Sequence, residues 1–202
     1  MFFYLKLPDK FLRAKSPNFI LLIKYLNNTF KSMTSFDINI QTVILLFATL
    51  LTGLLAGVFF TWTNAITPGI GRLDDVSYLK AFQQMNRTIL NPLFYIVFIG
   101  PLILSIAATY VYKANPAYIL WMLILATVIY FLGVVIVTIL GNIPLNNMLD
   151  NTNLADISLE DAKSLRDKFE SKWNKLHLIR TISSTTSFLL LILTCLFRID
   201  SI

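Results

Sequence analysis

Charged residues are absent from four long stretches of the chain. These stretches lie between Asp37 and Arg72, Arg87 and Lys113, Lys113 and Asp150, and Arg180 and Arg198. An α-helix needs about 20 apolar residues to cross the ~30 Å hydrocarbon core of a bilayer, and each stretch is long enough or close to it. The pattern therefore predicts four membrane-spanning helices, at residues 38–62, 89–112, 117–140 and 178–197.

A soluble bundle with four buried helices is the alternative for such a pattern. Buried helices of soluble proteins are usually shorter and keep a polar stripe along one side, whereas residues 119–139 show no such stripe. We therefore expect an all-α fold, a four-span transmembrane helical bundle.

The lengths of the connections predict how the spans are arranged. Only residues 113–116 separate the second span from the third, so these two spans are expected to be antiparallel neighbours. The other two connections, residues 63–88 and 141–177, are long, and Pro68-Gly69 is expected to turn the chain after the first span. In an up-down-up-down bundle both long connections lie on the same face of the membrane.

The second long connection contains a predicted amphipathic helix. Ser158-Leu159-Glu160-Asp161 resembles a capping box, and apolar residues then recur every three or four positions from Leu159 to Ile179. We expect this helix to run without a break into the last span, whose polar run at 181–187 is expected to face the interior of the bundle.

Composition supports a membrane protein and narrows the chemistry. Of 202 residues, 56% are hydrophobic and 14% are charged, with a mean hydropathy of +0.68, whereas about a quarter of a soluble domain is charged. The net charge of +6 (17 basic minus 11 acidic) is spread over both ends of the predicted spans. We therefore predict the lipid bilayer as a partner, in the plasma or inner membrane, and no nucleic acid.

The sequence contains no pattern that would hold a metal or a nucleotide. It has one cysteine, Cys195, and one histidine, His177, too few for a disulfide or for the usual zinc sites. It also lacks HExxH, paired glutamates with histidine spacing, a P-loop and GxGxxG. The predicted cofactor set is therefore empty, with no metal ligands.

The amino-terminal tail, residues 1–37, is separate from the predicted membrane domain at 38–202. It mixes apolar residues with Lys24 and Lys31, a pattern typical of a helix lying on an anionic lipid surface. The alternative is that translation starts at Met33 and the tail is absent, and the sequence leaves both open.

Asparagine side chains collect at the predicted membrane boundary on the side of the long connections. Asn64 follows Trp62 at the end of the first span, Asn86 precedes the second, and the third ends in Gly141-Asn142-Ile143-Pro144-Leu145-Asn146-Asn147. A buried amide without a partner costs free energy, so these groups should bond to loops, water or a ligand. Asparagine is also a common turn residue, and a capping and turn segment is the alternative.

Trp173, His177 and Arg180 lie on one face of the predicted helix, at positions i, i+4 and i+7. Each of them alone would be typical of an interface anchor. Together, on the membrane side that also carries the asparagines, they favour a binding or catalytic pocket.

Several of these segments together resemble the DUF1772 family of small integral membrane proteins, which is grouped with the anthrone oxygenases. The resemblance covers residues 38–197. It is carried by Gly57–Trp62, Pro68-Gly69, Met85-Asn86-Arg87, Gly141–Asn147, and Trp173–Arg180 leading into a Ser/Thr-rich span.

The resemblance implies a four-span bundle and, for some members, oxidation of an anthrone to an anthraquinone by O₂ without a cofactor. His177 would then be the base, Asn142, Asn146 or Arg180 would stabilise the oxyanion, and Trp173 would stack on a flat ring. The expected catalytic residues are thus His177, Asn142 and Arg180. The expected substrate-binding residues are Trp173, Asn64, Asn86, Asn146, Asn147 and Trp62.

Two other function classes stay open at the level of sequence. One is a non-catalytic membrane protein whose amide-rich rim binds a lipophilic ligand or a partner subunit. The other is a transporter, which is disfavoured because no predicted span contains a carboxylate.

Overall fold

The computed structural model describes residues 39–199 together with Leu21, Lys24 and Tyr25. The chain forms two units, residues 1–39 and 40–202, and the predicted interfacial tail lies almost entirely outside the described residues. Within residues 39–199 the structure is helical and has no strand, as the all-α prediction requires.

Four of the five helices in residues 40–199 are long and apolar enough to cross a membrane. These are α1 (Ile40–Ile70), α3 (Pro92–Val111), α4 (Ala117–Asp150) and α5 (Leu159–Ile199), and the shorter α2 is Asp75–Ile89. Their lipid-facing surfaces expose large apolar side chains, for example Leu50 and Leu54 on α1 and Ile103 on α3. The predicted multi-pass membrane protein is therefore confirmed.

Two helices are longer than the sequence predicted, because neither proline-containing segment ends a helix. We expected a turn at Pro68-Gly69, but α1 continues to Ile70, and α4 likewise continues past Pro144 to Asp150. A π-helical turn comes shortly before each proline, at Trp62–Ile66 and at Thr138–Asn142. The wider turn changes which carbonyl faces the proline ring, so the helix accommodates a residue that lacks an N–H.

The two long connections pack against each other in an aromatic cap. Tyr78, Leu79 and Phe82 of α2 are fully buried there, against Leu149 at the end of α4 and Phe169 in the first half of α5. Burial raises the pKa of Tyr78 far above its usual range. Full burial of these side chains shields the cap interior from water.

Both cap helices begin with a local capping contact, and the sequence predicted the one at Ser158. The N–H of Asp161 donates to Ser158 Oγ (3.1 Å), as a capping residue should, and α5 then runs unbroken into the last span. The carboxylate of Asp74 caps α2 by accepting from the Ser77 N–H (2.9 Å), which lowers the pKa of Asp74.

Inside the bundle α1 contacts α3 and α5, and α4 contacts α3 and α5. Thr181, Ser184 and Ser187 of α5 are buried, so one side of the polar run faces the interior, whereas Thr185 is exposed. At Gly133 of α4 the backbone approaches Ser183 so closely that a Cβ would overlap its side chain.

We expect Gly133→Ala to destabilise the bundle by about 1–3 kcal/mol, because the added methyl group forces α4 and α5 apart. Gly57→Ala is the matched control, since a Cβ at Gly57 meets nothing within 4 Å. Thermal unfolding in detergent measures both variants. Equal midpoints for the two would contradict the close approach of α4 and α5.

Candidate functional site

A cavity of about 160 Å³ lies where the cap meets the bundle. All five helices contribute to its wall. Most of the lining is apolar or aromatic, and the polar lining residues are Asn86, Thr138, Asn146, His177 and Arg180. A mostly apolar cavity with a few convergent polar groups is the usual form of a small-molecule site.

Stacked aromatic rings form one wall of this cavity. The Trp173 ring stacks on the His177 ring, with centroids 4.7 Å apart and planes 16° from parallel. Trp62 of α1 packs against Trp173 (5.6 Å) and against Phe82 of α2 (5.7 Å). The indole N–H of Trp173 donates to Asn146 Oδ1 (2.8 Å), so α4, α5 and the cap hold this wall in place together.

His177 is almost fully buried, at 2% exposure, and both of its ring nitrogens have partners. Nε2 lies 3.1 Å from the carbonyl oxygen of Phe59, and Nδ1 lies 2.8 Å from Nη2 of Arg180. A guanidinium only donates and a carbonyl only accepts. The imidazole is therefore neutral, with its proton on Nε2 and its Nδ1 lone pair directed at Arg180.

Arg180 is buried at 6% exposure and forms no ion pair among the described residues. Its Nη1 donates to Thr138 Oγ1 (3.3 Å), and its guanidinium lies over the rings of Phe59 (4.8 Å) and Trp173 (5.3 Å). Its Nε has no hydrogen-bond partner, and the lining of the cavity includes no Asp or Glu. The cation–π contacts and the two hydrogen bonds offset part of the desolvation of the cation, and the N–H at Nε makes no hydrogen bond.

Helix geometry explains why these groups converge. Trp173, His177 and Arg180 follow the i, i+4, i+7 spacing of one face of α5, as the sequence indicated. Thr138 and Asn146 of α4 are two turns apart on the side that faces α5. Trp62 is the first residue of the π-helical turn of α1, which brings its indole to the same wall.

Six of the nine predicted site residues line the cavity. They are Trp62, Asn86, Asn146, Trp173, His177 and Arg180. Asn142 is fully buried behind the wall, where its Nδ2 lies 3.5 Å from the carbonyl oxygen of Trp173 and its Oδ1 has no partner.

The structure places the other two predicted residues outside the cavity. Asn64 and Asn147 are exposed and are not part of the lining. Asn64 is two residues from Trp62, a spacing that points to a different side of a helix. Asn147 is likewise turned away from the face that carries Asn146.

Sequence reasoning missed Thr138, the Phe59 carbonyl and the phenyl groups of α3, Phe94 and Phe98. Thr138 had a signal, since it precedes Asn142 and Asn146 by one and two helical turns. The Phe59 carbonyl had none, because a backbone group on one helix becomes a partner only when another helix packs beside it.

A wider groove of about 610 Å³ lies on the cap, beside Lys80, Gln84 and the pair Arg87–Asp150. The side chains of that pair are 49% and 42% exposed, and exposed ion pairs of this kind are solvated and weak. The mostly apolar cavity beside His177 is the better candidate for chemistry.

Comparison with known families supports the resemblance noted in the sequence. Residues 93–190 match the family model described as anthrone oxygenase. This part of the chain is therefore similar to the anthrone oxygenase-like family. The match contains α3, α4 and most of α5, and therefore Thr138, Asn146, Trp173, His177 and Arg180, whereas Trp62 and Asn86 lie before it. Comparisons with curated proteins and with solved structures gave no match.

We expect Trp173→Phe to lower the free energy of unfolding of the protein by about 1 kcal/mol. The substitution removes the hydrogen bond to Asn146 but keeps an aromatic ring that can stack. Trp121→Phe is the control, since Trp121 is 67% exposed on the outer face of α4. Thermal unfolding of Trp173→Phe, Asn146→Ala and the double variant forms a double-mutant cycle. Strictly additive losses would show that the two side chains do not interact.

Proposed function

We propose that this protein is a membrane enzyme that oxidises a ring methylene of a hydrophobic aromatic compound with dioxygen. The observation that carries the proposal is a neutral imidazole joined to a buried guanidinium with no acidic partner, at the wall of an aromatic cavity. The match to the anthrone oxygenase model over residues 93–190 supports the same chemistry. The expectation of the plasma or inner membrane stays a prediction.

The cavity suits a flat, electron-rich ligand. One aromatic ring packs against Phe94 and Phe98 of α3 on one side and near the Trp62–Trp173 wall on the other. A ring carbonyl or hydroxyl oxygen of the ligand is directed toward the guanidinium of Arg180, whose Nε–H is unused. Asn86 and Asn146 supply further polar contacts.

Proton removal requires Arg180 to change partner. In the structure the guanidinium occupies the Nδ1 lone pair of His177. When Arg180 turns to the oxygen of the ligand, Nδ1 becomes free to accept the proton of the adjacent C–H bond. The electron pair of that bond remains in the ring system as an oxyanion held by Arg180. Base and oxyanion stabiliser are thereby coupled in one movement.

Dioxygen then takes the place of a bound cofactor as the oxidant. The carbanion passes one electron to O₂, and the radical and superoxide combine to form a C–O bond and a peroxide anion. That anion takes the proton from His177 to give a hydroperoxide. Loss of the second C–H proton, with cleavage of the O–O bond, releases water and leaves a carbonyl. The sum is R₂CH₂ + O₂ → R₂C=O + H₂O.

Of the predicted catalytic residues, Asn142 is assigned a positioning role in this proposal. Its amide contacts the backbone of Trp173 from behind the wall, out of reach of the cavity. Asn64 and Asn147 take no part, because both are exposed outside it.

A non-catalytic ligand-binding protein is the second candidate function. The observation that favours it is that neither nitrogen of His177 is free in this structure. A binder would hold a lipophile against the aromatic wall without the change of partner at Arg180. Binding and turnover therefore have to be measured separately.

We expect purified protein in lipid nanodiscs to convert emodin anthrone and O₂ to the quinone faster than the uncatalysed oxidation in protein-free nanodiscs. His177→Ala and Arg180→Met should each lower the rate by about 10²-fold or more, the usual contribution of a general base or an oxyanion donor. Asn147→Ala is the exposed control beside Asn146 and should keep the wild-type rate.

Quinone absorbance and oxygen uptake measure turnover, and quenching of tryptophan fluorescence measures binding. Binding by the wild type with no rate above the protein-free control would refute the oxygenase and leave the binder. Turnover that is unchanged in both His177→Ala and Arg180→Met would refute the roles given to these two residues.

A further inference from the structure

The cavity is too small to enclose all the rings of a ligand with several fused rings. Its volume of about 160 Å³ is close to that of an engineered protein cavity of roughly 150 Å³ that holds a benzene molecule. One aromatic ring therefore fits inside, and any further ring has to extend through an opening in the wall. The position of that opening determines what else such a ligand contacts.

The exposed lining residues show where the cavity opens. Leu90 is 55% exposed, Tyr95 49% and Ile143 41%. Leu90 lies in the short link between α2 and α3, Tyr95 in the first turn of α3, and Ile143 on α4. They form a rim between the start of α3 and α4.

The side of the cavity toward the cap is closed. Phe82 is fully buried there and Trp173 nearly so, with ring centroids 4.7 Å apart. Phe169 packs edge-on against Phe82 at the same distance. These rings fill the space between the cavity and the interior of the cap.

The surroundings of the rim are apolar on the side of the spans, whereas Thr88 and Asn91 beside Leu90 are exposed and polar. Leu93 and Ile96 on α3 and Ile139 and Leu140 on α4 expose 50% or more of their surface beside it. These residues lie in helices that are long and apolar enough to span a membrane. The side of the rim toward the spans therefore faces lipid chains, because so much exposed apolar surface is typical of a membrane contact.

We infer that the ligand enters sideways from the bilayer between α3 and α4, and that Leu90, Tyr95 and Ile143 determine how large a ligand is accepted. One ring of a multi-ring lipophile occupies the cavity, and its remaining rings lie in the rim against lipid. This inference rests on the proposed function only in taking the cavity as the ligand site. It does not depend on the oxidation chemistry.

The test narrows the rim and compares a small with a large ketone. The double variant Leu90→Phe/Ile143→Phe adds bulk at two rim positions, and Leu93→Phe/Leu140→Phe adds the same bulk at two lipid-facing positions outside the lining. Acetophenone, with one ring, and anthraquinone, with three, are the probes in nanodiscs. Stopped-flow quenching of tryptophan fluorescence gives the rate and the affinity of binding.

We expect the rim variant to bind anthraquinone at least tenfold more slowly or more weakly and acetophenone within twofold of the wild type, and the control pair to leave both unchanged. Leu90→Ala/Ile143→Ala, which widens the rim, should bind anthraquinone faster than the wild type. The inference is overturned if the narrowed rim weakens both probes alike, if it affects neither, or if the control pair has the same effect. Neither probe has a methylene that this reaction could oxidise, so absence of oxygenase turnover leaves this test intact.

Discussion

The structure depends on how one cation is accommodated inside an apolar bundle. Arg180 lies at the boundary between span and cap with no acidic partner along the cavity wall. An ionised group in such surroundings costs several kcal/mol unless other groups replace its hydration. Here His177, Thr138 and two aromatic faces replace part of that hydration. The imidazole is in turn held by the Phe59 carbonyl, so α1, α4 and α5 are joined through one side chain.

That arrangement couples stability to function. A guanidinium whose partners are all neutral has a stronger attraction for an anion than one already paired with a carboxylate. An oxyanion formed in the cavity would replace the Nδ1 contact with a charged one. The same change of partner would release Nδ1, the only nitrogen of His177 that is able to accept a proton. Under the proposed function, the incomplete solvation of Arg180 in the free protein is what favours the charged intermediate.

The π-helical turns at Trp62–Ile66 and Thr138–Asn142 allow α1 and α4 each to form a membrane span and then continue into the cap. Without them Pro68 and Pro144 would each interrupt a helix near the boundary, because a proline lacks the N–H that the turn requires. With them α1 and α4 continue into the cap and carry Trp62 and Asn146 to the cavity. Large apolar side chains are exposed along the outer faces of the spans, and the π-helical turn at Thr138–Asn142 lies where α4 packs against α5.

The sequence by itself determined the features that depend on local chemistry. The absence of charged residues indicated the spans, since placing a charge in the lipid core costs free energy whatever the fold. The spacing of Trp173, His177 and Arg180 put them on one face because a helix has a fixed period, and Ser158 predicted the start of α5.

Only the tertiary structure decided which groups meet. Asn64 and Asn147 proved exposed and Asn142 proved to lie behind the wall, because the side a residue faces depends on the packing of neighbouring helices and on π-helical turns. The partner of His177 is a backbone carbonyl of another helix, and no residue type encodes such a contact.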